Sequence, residues 1–201
     1  MLFSLRMGKG DDTRAAILTA GVEIAASEGL EAISIGRLAD RVGMSKSGLF
    51  AHFRSKEALQ LAVLDHGRRA FAESVAGPAL GEPRGEPRLR ALLDGWLAWN
   101  GSENAPGGCL FLQAAAEYDD REGEVRDALV RIQRDLLDFL VRASALCVEE
   151  GHFRPDVDPS QFAFELYALV MAHHFYTRLL EDPTAPQRTR DGLERLIASA
   201  H

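Results

Sequence analysis

Apolar residues recur along this chain at three- and four-residue steps, and no stretch alternates apolar and polar positions like a half-buried strand, so the pattern predicts an all-α fold. A first helix opens at Asp12 or Thr13, carries Ile17, Leu18, Gly21, Ile24 and Ala25 on one face, and stops at Gly29. Three further starts each have a serine placed to accept a backbone N–H of the first turn. Ser34 precedes Ile35, Leu38, Ala39 and Val42; Ser45 precedes Leu49, Phe50 and Phe53; Ser55 precedes a longer helix reaching about Ala76, with Glu57 in its first turn. From Gly77 to Pro87, six of eleven residues are Gly or Pro, which predicts a break between domains rather than a helix interior.

In the second half, Leu89, Leu92, Leu93, Trp96 and Trp99 mark a fifth helix ending near Gly101, and Cys109 to Ala116 is apolar nearly all round, as an interior helix would be. Val125, Leu129, Ile132, Leu136, Phe139, Ala143 and Leu146 step strictly by four and three residues, a long amphipathic helix closed by Gly151 and Pro155. Asp158 and Thr184 each stand three residues before a glutamine, with a proline in the first turn, and predict helices over 159–182 and 185–200. The division this implies is a disordered tail (1–11), a three-helix unit (12–58), a connecting helix (59–76), a linker (77–87) and a larger helical domain (88–201), about nine helices in all.

The net charge of −7 at first argues against nucleic acid, whose phosphates call for Lys and Arg. Its distribution changes that picture. Residues 1–66 hold eight basic and eight acidic side chains, so the imbalance lies wholly in 67–201 and the front third is free to present a basic surface. No apolar run approaches the ~20 residues of a membrane span, and Met1 to Met7 do not read as a secretory signal. Cys109 and Cys147 sit in apolar stretches without metal-ligand spacing and read as reduced core thiols. A cytoplasmic protein without metal or cofactor is expected, and Met7 is a second candidate start.

The informative stretch runs from Ser34 to Lys56. Two short helices separated by Val42, Gly43, Met44 and Ser45 fit a helix-turn-helix: Ala39 lets the helices approach, Gly43 allows a positive φ, and Met44 plugs the angle. Helices this short need burial of Leu38, Val42, Leu49 and Phe53 against the first helix. Ser45, Lys46, Ser47 and Gly48 occupy the first turn of the third helix, where small side chains let the backbone approach base edges in a major groove. Lys46, His52 and Lys56 supply phosphate donors, with Arg37 and Arg41 as additions from the second helix.

These residues, continued by Ser55, Glu57, Ala58 and Leu59, make the segment similar to the DNA-binding domain of the TetR/AcrR family of transcriptional regulators. Carried over by position, the resemblance implies that Ser34 and Lys56 contact phosphates at the two rims of the groove, and that Ser45, Lys46, Ser47, Gly48, Phe50 and His52 form the recognition surface. Phe50 stands where Tyr is frequent in the family, Ala51 replaces a larger residue, and Gly48 costs about 1 kcal/mol of helix propensity relative to Ala. The resemblance further implies a homodimer paired through its last two helices, a double-stranded operator, and a small-molecule effector held between helices five and eight, with helix four as the lever to the DNA unit.

Candidate dimer stripes are Phe162, Leu166, Leu169, Val170, His173 and Leu180 on one helix and Leu193, Leu196 and Ile197 on the next. Candidate effector contacts are Gln113, Glu117 and Tyr118, with Trp96, Trp99, Phe111, Phe139, Tyr167, His174 and Tyr176 completing a wall. Two other classes compete. One is a DNA-binding protein without an effector, which requires a filled core; the other is an enzyme using Glu117, His173 and His174, although no HExxH, phosphate loop or nucleophile elbow accompanies them.

Overall fold

The computed structural model describes residues 9–100 and 107–201. Most of the tail expected over 1–11, and the helix end expected near Gly101, lie outside those residues. The described chain is all-helical: α1 (Lys9–Glu28), a 3-10 turn (Leu30–Ala32), α2 (Ile35–Val42), α3 (Lys46–His52), α4 (Lys56–Phe71), a π turn (Ala72–Ala76), α5 (Gly77–Leu80), α6 (Glu86–Trp99), α7 (Leu110–Tyr118), α8 (Glu124–Glu149), α9 (Pro159–Arg178) and α10 (Ala185–Ser199).

Local chemistry sets most boundaries. The hydroxyls of Ser34, Ser45 and Ser55 accept the backbone N–H groups of Arg37, Gly48 and Ala58, and the Asp158 carboxylate accepts those of Ser160 and Gln161. Gly43 ends α2 at φ 68°, the left-handed conformation expected of it. Two expectations are corrected. Thr184 does not cap α10; its hydroxyl donates to Asp182 Oδ1 at 2.7 Å instead. The helical run also does not break at Gly77. The Gly77 N–H reaches back five residues to the Ala72 carbonyl, and Pro78 falls in the first turn of α5, where its missing N–H leaves no bond unmade.

Two apolar clusters build the interior. One joins α1 to α4 with α7 and the start of α8, through Ile17, Ala25, Leu38, Leu49, Phe53, Leu64, Leu110 and Val125. The other joins α5, α6, the rest of α8, α9 and α10, through Leu89, Trp96, Leu140, Cys147, Leu166 and Ile197. Helix α1 and the 3-10 turn therefore pack directly on α7, so the N-terminal unit meets α7 as well as α4. Close approach at this seam depends on Gly107: a Cβ there would lie 2.4 Å from the Ala26 carbonyl carbon and 2.5 Å from the Ser27 nitrogen, backbone atoms that cannot step aside.

A polar hub crosses the same seam. The Glu31 carboxylate, in the 3-10 turn, accepts from the Tyr118 hydroxyl (2.5 Å), Lys56 Nζ (2.9 Å) and Gln60 Nε2 (3.2 Å), and pairs with Arg121 (2.9 Å). Gln60, itself buried, also donates to the Leu30 carbonyl and to the Tyr118 oxygen, while Glu117 accepts the Glu31 N–H at 3.1 Å. Hydrogen bonds from Tyr118 and Lys56 hold the Glu31 carboxyl at about 2, well below its ordinary 4.5.

Two outcomes follow from this seam. Because the unfolded chain binds the Glu31 proton more tightly, the stability that Glu31 contributes is complete above about pH 4.5 and is lost as pH falls towards about 2. Glu31→Gln therefore unfolds at lower urea than the parent at pH 7 and loses less stability between those pH values; an equal loss in both proteins removes Glu31 as its source. Gly107→Ala costs about 1–3 kcal/mol in the same urea measurement, and a parent-like midpoint would show that the seam adjusts freely.

Candidate nucleic-acid interface and interior cavity

Helix α3 turns Leu49 inward, fully buried, with Phe53 buried just after it, and directs Ser45, Lys46, Ser47 and Phe50 to solvent. Phe50 is 52% exposed, a large apolar ring held on the surface between two buried positions. Gly48 and His52 are half-buried. A Cβ at Gly48 would sit 3.1 Å from Ser45 Oγ, so the bare backbone keeps the first turn of α3 tight around its cap. The Ser45 and Ser47 hydroxyls lie 3.2 Å apart. The free end of the helix is held by Arg14 of α1, which donates to the His52 carbonyl at 3.0 Å and lies over the Phe53 ring at 4.3 Å. Arg14 escaped the sequence reading, since only the tertiary fold brings α1 alongside the end of α3.

The basic side chains are not equivalent. Lys46 is exposed and forms no ion pair among the described residues. Arg37 is paired with Glu28 at 2.6 Å, Arg41 with Glu23 at 3.0 Å, and Lys56 with Glu31 at 2.9 Å. Arg37 and Lys56, both expected at phosphates, thus carry acidic partners that a phosphate would have to share or displace; Lys56 also donates to the Glu31 carbonyl and belongs to the hub. Ser34 caps α2 and keeps its own hydroxyl hydrogen available to donate.

A cavity of about 250 Å³ opens between α4, the π turn, α6, α7, α8 and α9. Phe71, Trp96, Phe111, Phe139 and Tyr167 give it an aromatic wall, and Cys109 contributes a thiol whose proton burial holds more tightly. Burial likewise pushes the Tyr167 hydroxyl up to about 12, and that group lies 3.3 Å from Gln133 Oε1. The Cys109 thiol and Tyr167 hydroxyl are therefore neutral at pH 7, and the charged groups on the lining are Arg68, paired to Asp65 at 2.9 Å, and Asp135.

Of the expected effector contacts, Trp96, Phe111, Phe139 and Tyr167 line this cavity; the others do not. Trp99 supports Phe71 edge-on at 6.3 Å without reaching the lining, and Gln113 is not part of it. Glu117 and Tyr118 belong to the Glu31 hub at the far end of α7. His174 packs its ring against Gly108, and Tyr176 is exposed beside Phe175. His173 is buried against the Thr189 hydroxyl at 3.2 Å, so Glu117, His173 and His174 are not assembled into the constellation an enzyme reading needs. No group of three metal-binding side chains occurs among the described residues, and none of their helices is long and apolar enough to cross a membrane. Helix α4 is not the sole link from cavity to helix-turn-helix, because α7 lines the cavity at Cys109, Phe111 and Leu112 and holds Glu31 at its other end.

The chain resembles known proteins over nearly its whole length. Residues 17–63 match the family model described as bacterial regulatory proteins, tetR family, and residues 85–193 match the tetracyclin repressor-like C-terminal domain. The transcriptional repressor NemR of Escherichia coli is 24% identical over 84% of this chain and 85% of its own. A TetR transcriptional regulator from Chloroflexus aurantiacus superposes with a TM-score of 0.82 at 23% identity, over 96% of each chain. AibR, solved with isovaleryl coenzyme A and operator DNA, gives 0.69 at 24% identity over 89% of this chain and 94% of its own. With its helix-turn-helix inside one of these models and more than half of its residues inside the other, the chain belongs to the TetR family of DNA-binding bacterial transcriptional regulators.

Proposed function

We propose that this protein is a homodimeric repressor that holds a palindromic operator with paired copies of α3 and leaves it when a small, largely apolar molecule fills the interior cavity. The observation that carries the DNA reading is the outer face of α3. Lys46 and Ser47 stand exposed beside a solvent-facing Phe50 on a helix otherwise anchored by Leu49, Phe53 and Arg14. An apolar ring costs least on such a surface when a partner covers it, and thymine methyl groups offer apolar contact in the major groove. Ser34, Ser45, Gly48 and His52 complete the proposed surface.

The cavity supports release by an effector over the effector-free alternative, which needs a filled core. AibR supports the same pairing of sites, since its structure holds a small molecule and operator DNA together. Release requires unequal affinity of the effector for the two states of the protein. Both α4, through Arg68 and Phe71, and α7, through Phe111 and Leu112, border the cavity and reach the Glu31 hub, so either can report its filling.

The proposed dimer face is not the pair of stripes expected from the sequence. Phe162, Leu166, Val170 and His173 of α9, with Leu193 and Ile197 of α10, are buried within the subunit, and Leu169 and Leu196 are half-buried; of the expected residues only Leu180 is exposed. What faces solvent is a second stripe, Phe164, Ala168, Met171, Phe175 and Leu179, at the three- and four-residue steps of one helix face. Phe164 and Leu179 are each 68% exposed, more apolar surface than a monomer ordinarily leaves uncovered.

Lys46→Ala weakens binding to every duplex and lowers the slope of log K against log salt by about one unit, measured by fluorescence anisotropy across a salt series; an unchanged slope removes Lys46 from the phosphate contacts. The double substitution Phe164→Asp, Phe175→Asp yields folded monomers in analytical ultracentrifugation that lose tight operator binding. A dimer that survives it would place the interface elsewhere.

A further inference from the structure

Two apolar hollows lie end to end along α8. Beyond the aromatic cavity is a second of about 210 Å³, with Ala79, Leu80, Leu89, Leu92, Ala143 and Leu146 in its wall. Phe139 belongs to the wall of both. The linings advance in register on three neighbouring elements: from Ala72 and Ala76 to Ala79, from Trp96 back to Leu92 and Leu89, and from Ile132 and Leu136 to Ala143 and Leu146. Fourteen helical steps from Ile132 to Leu146 span ~21 Å. The two hollows share the half-buried Phe139 ring as a wall, and displacement of that one ring would join them into a single trough.

The ends of the trough differ in charge. At the aromatic end Arg68 pairs with Asp65, which Arg69 also engages, and the Asp135 carboxylate stands on the same wall, so acidic groups offset the positive charge there. At the other end Arg88 and Arg142 both line the hollow. Arg88 donates through Nε and Nη2 only to the Glu82 carbonyl, a neutral group, and neither arginine forms an ion pair among the described residues. Asp138 lies one turn back on α8 and does not pair with Arg142. Two uncompensated guanidinium groups at one mouth of a long apolar trough match a molecule with one anionic end and an extended hydrocarbon body.

We propose, building on the reading that a small molecule releases this protein from DNA, that its effector is an elongated aliphatic carboxylate. The acid group is held by Arg88 and Arg142, and the chain passes the position of Phe139 into the aromatic cavity towards Tyr167. A chain that reaches past Phe139 buries methylenes which a short one cannot, at about fourfold in affinity each.

The test is calorimetric titration of the full chain, without DNA, with hexanoate, decanoate and 1-decanol. Decanoate binds at least thirtyfold tighter than hexanoate and at least tenfold tighter than the alcohol. The double substitution Arg88→Gln, Arg142→Gln, checked for folding by its thermal transition, binds acid and alcohol alike, whereas Arg142→Lys alone keeps the preference for the acid. Equal affinity for the two acids, a preference for carboxylate that survives the double substitution, or no binding by any probe overturns the proposal. Decanoate that binds as stated but leaves the protein on its operator keeps the ligand class and rejects release, so the two readings fail separately.

Discussion

The carboxylate of Glu31 is the point on which the two halves of this molecule are joined. It accepts hydrogen bonds from Tyr118, Lys56 and Gln60 and pairs with Arg121, which brings the turn after α1, helix α4 and the end of α7 to one place. Each donor is itself constrained: Gln60 is buried and serves three acceptors, and Tyr118 is buried beneath the Arg121 guanidinium, which lies 4.8 Å from its ring. An unpaired polar group in such a setting is costly, so the arrangement tolerates few alternatives. That is why the helix-turn-helix is not a loosely tethered module. Its position is set by the same helix that walls the cavity.

Helix α8 shows how an apolar seam becomes a binding surface. The residues that step by four and three, Ile132, Leu136, Phe139, Ala143 and Leu146, border the hollows, whereas the fully buried line in its second half is Leu140, Ser144 and Cys147. The Ser144 hydroxyl reaches this buried line because it donates to the Leu140 carbonyl one turn back. In the aromatic hollow the π turn contributes only the small Ala72 and Ala76 to the wall, leaving space that longer side chains would fill. Helix α9 has a comparable two-sidedness, one apolar stripe closing the subunit's own core and another left uncovered.

The charge distribution fits this division of labour. Within the front third Arg37, Arg41 and Lys56 are paired to acidic neighbours, whereas Lys46 on α3 and Arg54 just beyond it are exposed and form no ion pair among the described residues. Surface pairs of this kind add little stability.

The sequence by itself determined what acts over a few residues. Serine caps at Ser34, Ser45 and Ser55, the left-handed Gly43 and the four-and-three seam of α8 are local, and they made the helix boundaries, the helix-turn-helix and its outward residues legible. Tertiary structure decided whatever depends on partners far along the chain. Tyr118 and Glu117, read as cavity residues, were drawn to Glu31, 87 and 86 positions away, because a buried hydroxyl and a carboxylate go where donors and acceptors can satisfy them. The choice between the two stripes of α9, and the engagement of Lys56 by Glu31, were settled likewise by which surfaces the other helices brought near. Periodicity reports that a face is apolar, and only packing says what that face meets.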